Sequence, residues 1–311
     1  MATTKILTKV KKTIPKTNGP FGNYFAGNLQ GNQLKGQNYR ELFVENVEDF
    51  FKRMKHHLYI AGQPGVGKTY TVEDISKNYP NVYLLTIKGK MTWWAFVKTV
   101  AVSLMLLPKG MQLAIYFDDF NEMFKSNSDF LDGMKIAMDK KSGDRLEYNT
   151  SLGAQYNACE DIEKSAIDHF KEKTPERTGF IVPFEGRVKF IFTMNTPLPG
   201  AVELQKEKVG SDRWIKLNNR GAIRSRVNYE DLVMDKDTYW GWIADVVWNC
   251  PDTMCAGATA EQRFEMLNWM WDNWANVSEH SLRFIEEKLW DIMQQYPSRS
   301  AYTRRWEKLK G

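Results

Sequence analysis

Acidic residues are missing from the first forty positions of this 311-residue chain, and cysteine is scarce throughout. Cys159, Cys250 and Cys255 are an odd number of thiols with no C-x-x-C spacing. That argues against a disulfide framework or a zinc site and fits reduced thiols in a cytosolic protein. Long apolar runs are also lacking: the longest, around Val97–Leu107, is too short to cross a bilayer and has threonine, lysine and serine among its neighbours. The N-terminus carries lysines but no apolar core followed by a small-residue cleavage site. Secretion is therefore not expected, and the predicted location is the cytoplasm, or the host cytoplasm for a viral source. There is no internal repeat.

What is present looks globular. Charged residues make up 26% and hydrophobic residues 42%, enough to bury a core in one or two domains. The net charge of +5 is uneven. Residues 1–40 hold +7 (Lys5, Lys9, Lys11, Lys12, Lys16, Lys35 and Arg40), leaving −2 for the rest. Two readings stay open: a solvated tail, or a basic arm that attracts nucleic-acid phosphates.

From Thr13 to Gln37 the Gly, Asn, Pro and Gln content predicts an irregular lead-in. Glu41–Met54 has apolar residues at helical spacing. "HLYIAG", Val82–Ile87, Leu113–Phe117 and Val188–Met194 read as short buried strands, with a helix over Thr92–Leu107. Strands alternating with helices predict βαβ units and a largely parallel sheet. After about Val227 only amphipathic helices are predicted: Asp237–Asn249, Ala260–Trp274, Glu279–Tyr296 and Ser300–Lys310. Eight of the eleven tryptophans lie there, suited either to stacking on bases or to filling the core of a small helical domain.

The stretch "GQPGVGKT" (Gly62, Gln63, Pro64, Gly65, Val66, Gly67, Lys68, Thr69) fits G-x-x-x-x-G-K-[ST] in full. Its glycines let the backbone curl so that N–H groups face a β- or γ-phosphate. Lys68 adds charge and Thr69 a hydroxyl for magnesium, and Tyr70 opens the following helix-compatible segment. Some fifty residues further on, "LAIYFDDF" ends an apolar strand in Asp118 and Asp119. Asp118 is the candidate carboxylate for the metal; the alternative is a helix N-cap pair. Asn195 follows the strand "FIFTM" where it could orient an attacking water. Arg220, Arg224 and Arg226 precede the helical region, and Arg283 opens a helix within it, where a cation is disfavoured unless an anion is near.

With these motifs in this order, residues 40–296 resemble an AAA+ ATPase. The resemblance implies a three-layer αβα parallel-sheet domain over 41–227, followed by a small all-helical lid over 228–311, with residues 1–40 as a basic arm. It implies ATP and Mg²⁺ as cofactors, Asp118 and Thr69 at the metal, Asp119 as the activating base and Asn195 as sensor 1. Arg226, with Arg224 as second choice, is the implied arginine finger acting in a neighbouring subunit, and Arg283 the sensor 2 contact to nucleotide. A homo-oligomer follows, commonly a hexamer. The insertion at about 142–186 lies where one branch carries a pre-sensor-1 hairpin; it is either pore-lining or an elaborated surface loop. The compact form is similar to phage-encoded members.

There are departures from the family. No aromatic–hydrophobic–glycine pore loop is evident; Lys88, Lys90, Trp93 and Trp94 are pore candidates, the tryptophans with helix packing as the alternative. Asp119 stands where most relatives have Glu, with Glu122 as a longer-reaching substitute. The implied work is on DNA, in replication or recombination. Remodelling of a protein partner and a slowly hydrolysing scaffold are the alternatives, and no membrane role is expected.

Overall fold

A computed structural model describes residues 22–120, 129–139, 144–150, 152–175, 178–250 and 252–310. In chain order the elements are α1 (Gly22–Arg53), β1 (His57–Gly62), α2 (Lys68–Ser76), β2 (Val82–Lys88), α3 (Trp93–Leu106), β3 (Gln112–Asp118) and α4 (Asp129–Ala137). Next come β4 (Arg145–Tyr148), α5 (Gly153–Asn157), α6 (Asp161–Lys171), β5 (Phe180–Pro183), β6 (Val188–Met194), α7 (Ala201–Gln205) and α8 (Asp212–Arg224). Last are β7 (Val227–Leu232), α9 (Lys236–Asn249), α10 (Ala260–Asp272), α11 (Leu282–Phe284), α12 (Asp291–Gln295) and α13 (Arg299–Trp306), with a π-helical stretch at Ile285–Trp290. The chain divides into two compact units. One comprises Asn46–Gly62 with Val72–Asp231; the other comprises the described residues to Glu45, Gln63–Thr71 and the chain from Leu232 onward.

The first unit is a three-layer α/β fold. Its sheet has the order β2–β3–β6–β1–β7, and β1–β6, β3–β6 and β2–β3 pair in parallel. Every residue of β1 is buried, as are the middles of β3 and β6, the pattern of strands covered on both faces. One face packs Tyr59, Ile115, Phe117, Phe190 and Phe192 against Phe96, Val97, Val100 and Ala101 of α3. The alternate residues Leu58, Ile60, Ala114, Tyr116 and Ile191, equally buried, turn to the other face. Thr92 caps α3 by accepting from the Ala95 N–H, and Ser211 caps α8 in the same way from Trp214.

The insertion folds into this core. β4 and β5 pair antiparallel, Leu146 opposite Val182 and Tyr148 opposite Phe180, and these residues join the same apolar cluster as α3. Ala166, Ile167 and Phe170 of α6 do likewise. Trp93 donates its indole N–H to the Glu147 carbonyl at 3.0 Å and packs on Phe130, while Trp94 packs on Tyr148 and Phe180. Both tryptophans therefore pack a helix against the sheet unit.

In the second unit Trp240, Trp242 and Trp306 are fully buried beside Ile243, Met266, Met270, Ile285 and Leu289. Ring pairs such as Trp240–Trp271 and Trp269–Trp306 form inside it, so the tryptophans fill a core. Arg40 donates to Asp245 at 2.6 Å, and Asn249 donates to the same carboxylate, holding α1 to α9.

Two expectations change. The segment 22–37, predicted irregular, is helical as part of α1. Gly36 explains why that helix needs glycine: a Cβ there would lie 2.1 Å from the Trp242 nitrogen. The second change is β7, a strand where only helices were expected, which carries the sheet past Val227.

Candidate functional site

Parallel strands put the carboxyl ends of β1, β3 and β6 on one edge of the sheet, the edge where ligands bind in open α/β sheets. β3 ends there in Asp118, in register with Thr193 of β6 on one side and Lys88 of β2 on the other. Asp118 Oδ1 accepts from the Thr193 hydroxyl at 3.2 Å and the Tyr116 hydroxyl at 3.0 Å, and these two hydroxyls are 2.7 Å apart. Its Oδ2 lies 3.6 Å from the Lys88 ammonium, which also reaches Glu73 at 3.3 Å. One carboxylate oxygen is thus fixed by buried hydroxyls, and the other faces a cation.

Asp119 takes a different backbone conformation, with φ +54°. Asp and Asn are the non-glycine residues that tolerate this left-handed region best. Its N–H donates to the Thr193 carbonyl at 3.1 Å. The turn swings the carboxylate out of the strand's alternation toward β6, where Asn195 Nδ2 donates to both oxygens at 2.9 Å. Asp118, Asp119 and Asn195 are therefore brought together on one edge of the sheet.

The glycine-rich loop leaves β1 at Gly62. Gly65 and Gly67 have φ +75° and +78°, conformations that suit glycine, and a Cβ on Gly65 would lie 2.3 Å from the Ser281 Cβ. Lys68 is buried and donates to the Gln63 carbonyl at 2.7 Å, closing the loop on itself. Other residues of the helical unit hold the loop. The Gln63 amide pairs with both backbone groups of Met234, Tyr239 donates to the Pro64 carbonyl at 2.9 Å, and the Leu282 N–H donates to the Gly65 carbonyl at 3.2 Å. Burial pushes the Tyr239 hydroxyl's pKa up, which keeps it a donor. Val66 is buried, while Tyr70 is exposed. Arg283 is 73% exposed in the first turn of α11, 3.7 Å from Glu287.

The three arginines after β6 have separate environments. Arg220 donates to the Pro197 carbonyl; Arg224 donates to the Leu198 carbonyl at 2.6 Å and lies over the Tyr229 ring. Arg226 donates to the carbonyls of Lys135 and Ala222 and pairs with Asp139 at 3.4 Å. Glu122 lies outside the described residues. The sequence alone assigns Thr193 and Tyr116 no part in the site; their signal, polar atoms on buried strands, acquires meaning once strand order is known.

No family model matches the chain, and no curated protein matches it. Among solved structures it is similar to the RuvB Holliday junction branch migration motor of Thermotoga maritima, at 11% identity and TM-score 0.41, covering 88% of this chain and 69% of that one. It is also similar to AMPPCP-bound DnaA from Aquifex aeolicus, at 12% identity and TM-score 0.37, covering 86% and 64%. A third is PCH-2 of C. elegans, at 11% identity and TM-score 0.36, covering 89% and 67%. Likeness this distant carries no functional argument, and the fold assignment rests on the sheet itself: a three-layer α/β unit with a phosphate-loop sequence after its first strand. Among the described residues, no helix is long and apolar enough to cross a membrane.

Proposed function

We propose that this chain is an AAA+ ATPase that binds Mg-ATP on the Gly62–Thr69 loop and hydrolyses it within a ring or spiral oligomer, commonly a hexamer, to work on DNA. The observation that carries the ATPase reading is the contact of Asn195 with both oxygens of Asp119, one residue beyond Asp118 on the same sheet edge. A carboxylate held this way can accept a proton from water while the amide orients that water.

The roles follow from donor chemistry. Backbone N–H groups of the loop and the Lys68 ammonium take the phosphates; the Asp118 carboxylate and Thr69 hydroxyl are hard oxygen donors that fit magnesium, an ion that also keeps waters and phosphate oxygens. When bound, magnesium neutralises charge on the β- and γ-phosphates. Asp119 is the base and Asn195 its orienting partner. Arg226 is the finger offered to a neighbouring subunit, and reaching it means releasing its own-chain acceptors. Arg283, in the opening turn of α11, contacts the nucleotide phosphates in its own subunit.

The acid-free basic stretch before Glu41 supports DNA as the polymer. Phosphate release is to be measured with no polymer, single-stranded DNA and double-stranded DNA, in wild type and with Lys5, Lys9, Lys11, Lys12 and Lys16 neutralised. Stimulation by DNA that falls with salt and with neutralisation is expected. ATPase indifferent to DNA but stimulated by a protein overturns the DNA reading. Native mass with a non-hydrolysable analogue tests assembly, and a monomer rules out the finger.

A further inference from the structure

The segment after Asn195 is exposed from Asn195 to Pro197, and burial takes hold only at Leu198. Yet three consecutive carbonyls in it are each held by a different side chain. Thr196 O accepts from the Tyr59 hydroxyl at 2.8 Å, Pro197 O from Arg220, and Leu198 O from Arg224 at 2.6 Å. The holders support one another. Tyr59 stacks on Tyr229 with ring centroids 5.7 Å apart, and the Arg224 guanidinium sits 4.0 Å from the centroid of the same Tyr229 ring. Tyr59 is fully buried in β1, and burial raises its hydroxyl pKa, so it stays a donor. Arg220 and Arg224 are one turn apart on α8 and so project from one face toward the loop.

We infer that Tyr59, Arg220 and Arg224 are positioning residues that hold the Thr196–Leu198 backbone, and through it the Asn195 amide against Asp119, in their own subunit. On this assignment Arg220 and Arg224 act in their own subunit, whereas Arg226, which holds Lys135, Ala222 and Asp139 and not the Thr196–Leu198 backbone, keeps the finger role proposed above. Charge-assisted bonds to carbonyls are stronger than neutral ones, and loss of register of about 1 Å at a reacting centre can cost about 10²-fold in rate. The inference rests on the ATPase reading for its kinetic consequence, but the clamp itself needs no nucleotide.

The test mixes two dead proteins. Arg224→Met subunits keep the phosphate loop, and Lys68→Ala subunits keep every arginine. If Arg224 acts within its own subunit, the mixture hydrolyses no more ATP than the two components separately; a mixed rate several-fold above their sum overturns the inference. Arg226→Met mixed with Lys68→Ala is the contrasting pair, expected to recover activity. Tyr59→Phe removes only a buried hydroxyl that cannot act in another subunit. It should lower kcat about 10-fold with the ATP-analogue dissociation constant unchanged, and Arg224→Lys should stay within about 3-fold of wild type because one donor to Leu198 O remains. An unchanged kcat in Tyr59→Phe overturns the clamp. Hydrogen exchange of the peptide spanning residues 195–204, without nucleotide, should rise several-fold in both Tyr59→Phe and Arg224→Met. Unaltered exchange overturns the clamp even if the wild type hydrolyses nothing, whereas a wild type with raised exchange in the variants but no ATPase activity refutes only the ATPase reading.

Discussion

Replacing Asp119 with Asn and with Glu separates backbone strain from chemistry at one position. The left-handed conformation at φ +54° costs an ordinary L-residue roughly 1–2 kcal/mol, and Asp and Asn less because their short polar side chains bond locally. The Asp119→Asn variant therefore keeps both the backbone preference and an acceptor for Asn195, and its stability should stay within about 0.5 kcal/mol of wild type. Asp119→Glu gives up the short side chain, costing about 1 kcal/mol, or about 2–4 °C in melting temperature for a unit of this size. The catalytic outcomes run differently. An amide cannot accept a proton, so turnover in Asp119→Asn should fall about 10²–10⁴-fold while ATP binding persists. The longer side chain of Asp119→Glu has the carboxylate but displaces it from Asn195, so turnover should fall about 10-fold rather than rise. Thermal melts and phosphate-release rates on the three proteins are the assay. A Glu variant as stable as wild type and faster than it would refute the argument that backbone geometry favours Asp at this position.

Other perturbations probe the rest of the account. Gly65→Ala combines a left-handed φ with a collision against Ser281 and should cost about 2 kcal/mol or more, read by denaturant unfolding. Arg40→Ala takes the cation from the Asp245 carboxylate, whose side chain is 2% exposed, while the Asn249 amide still donates to it; a loss of about 2–4 kcal/mol is expected, and a loss under about 0.5 kcal/mol contradicts the pairing. Lys88→Met removes the cation beside Asp118, so Mn²⁺ followed by electron paramagnetic resonance should bind about 3-fold tighter, the small factor reflecting the lysine's 55% exposure. Trp306→Ala, which empties a fully buried site and removes the indole donor to the Leu289 carbonyl, should cost about 3–5 kcal/mol.

Much of the fold and the site could be read from the chain because the signals are local. The glycine-rich loop, the two aspartates ending β3 and Asn195 ending β6 each sit within a few residues of an apolar strand. Trp93 and Trp94 needed the structure to choose between two readings, since their partners Phe130, Tyr148 and Phe180 are far away in sequence. β7 escaped because "VNYEDL" is polar and mostly part-exposed, without the apolar run of its neighbours. The first half of α1 escaped because glycine and asparagine argue against helix, while the demand for Gly36 arises only when α9 packs on it. Lys88, Thr193 and Tyr59 acquire their roles from strand order, which no single stretch of sequence encodes.

Phosphate release at saturating ATP, with and without Mg²⁺, in wild type, Lys68→Ala and Asp119→Asn tests the central claim most directly. The account predicts magnesium-dependent turnover in wild type and its loss in both Lys68→Ala and Asp119→Asn. Equal rates in all three proteins, or turnover indifferent to magnesium, would contradict it.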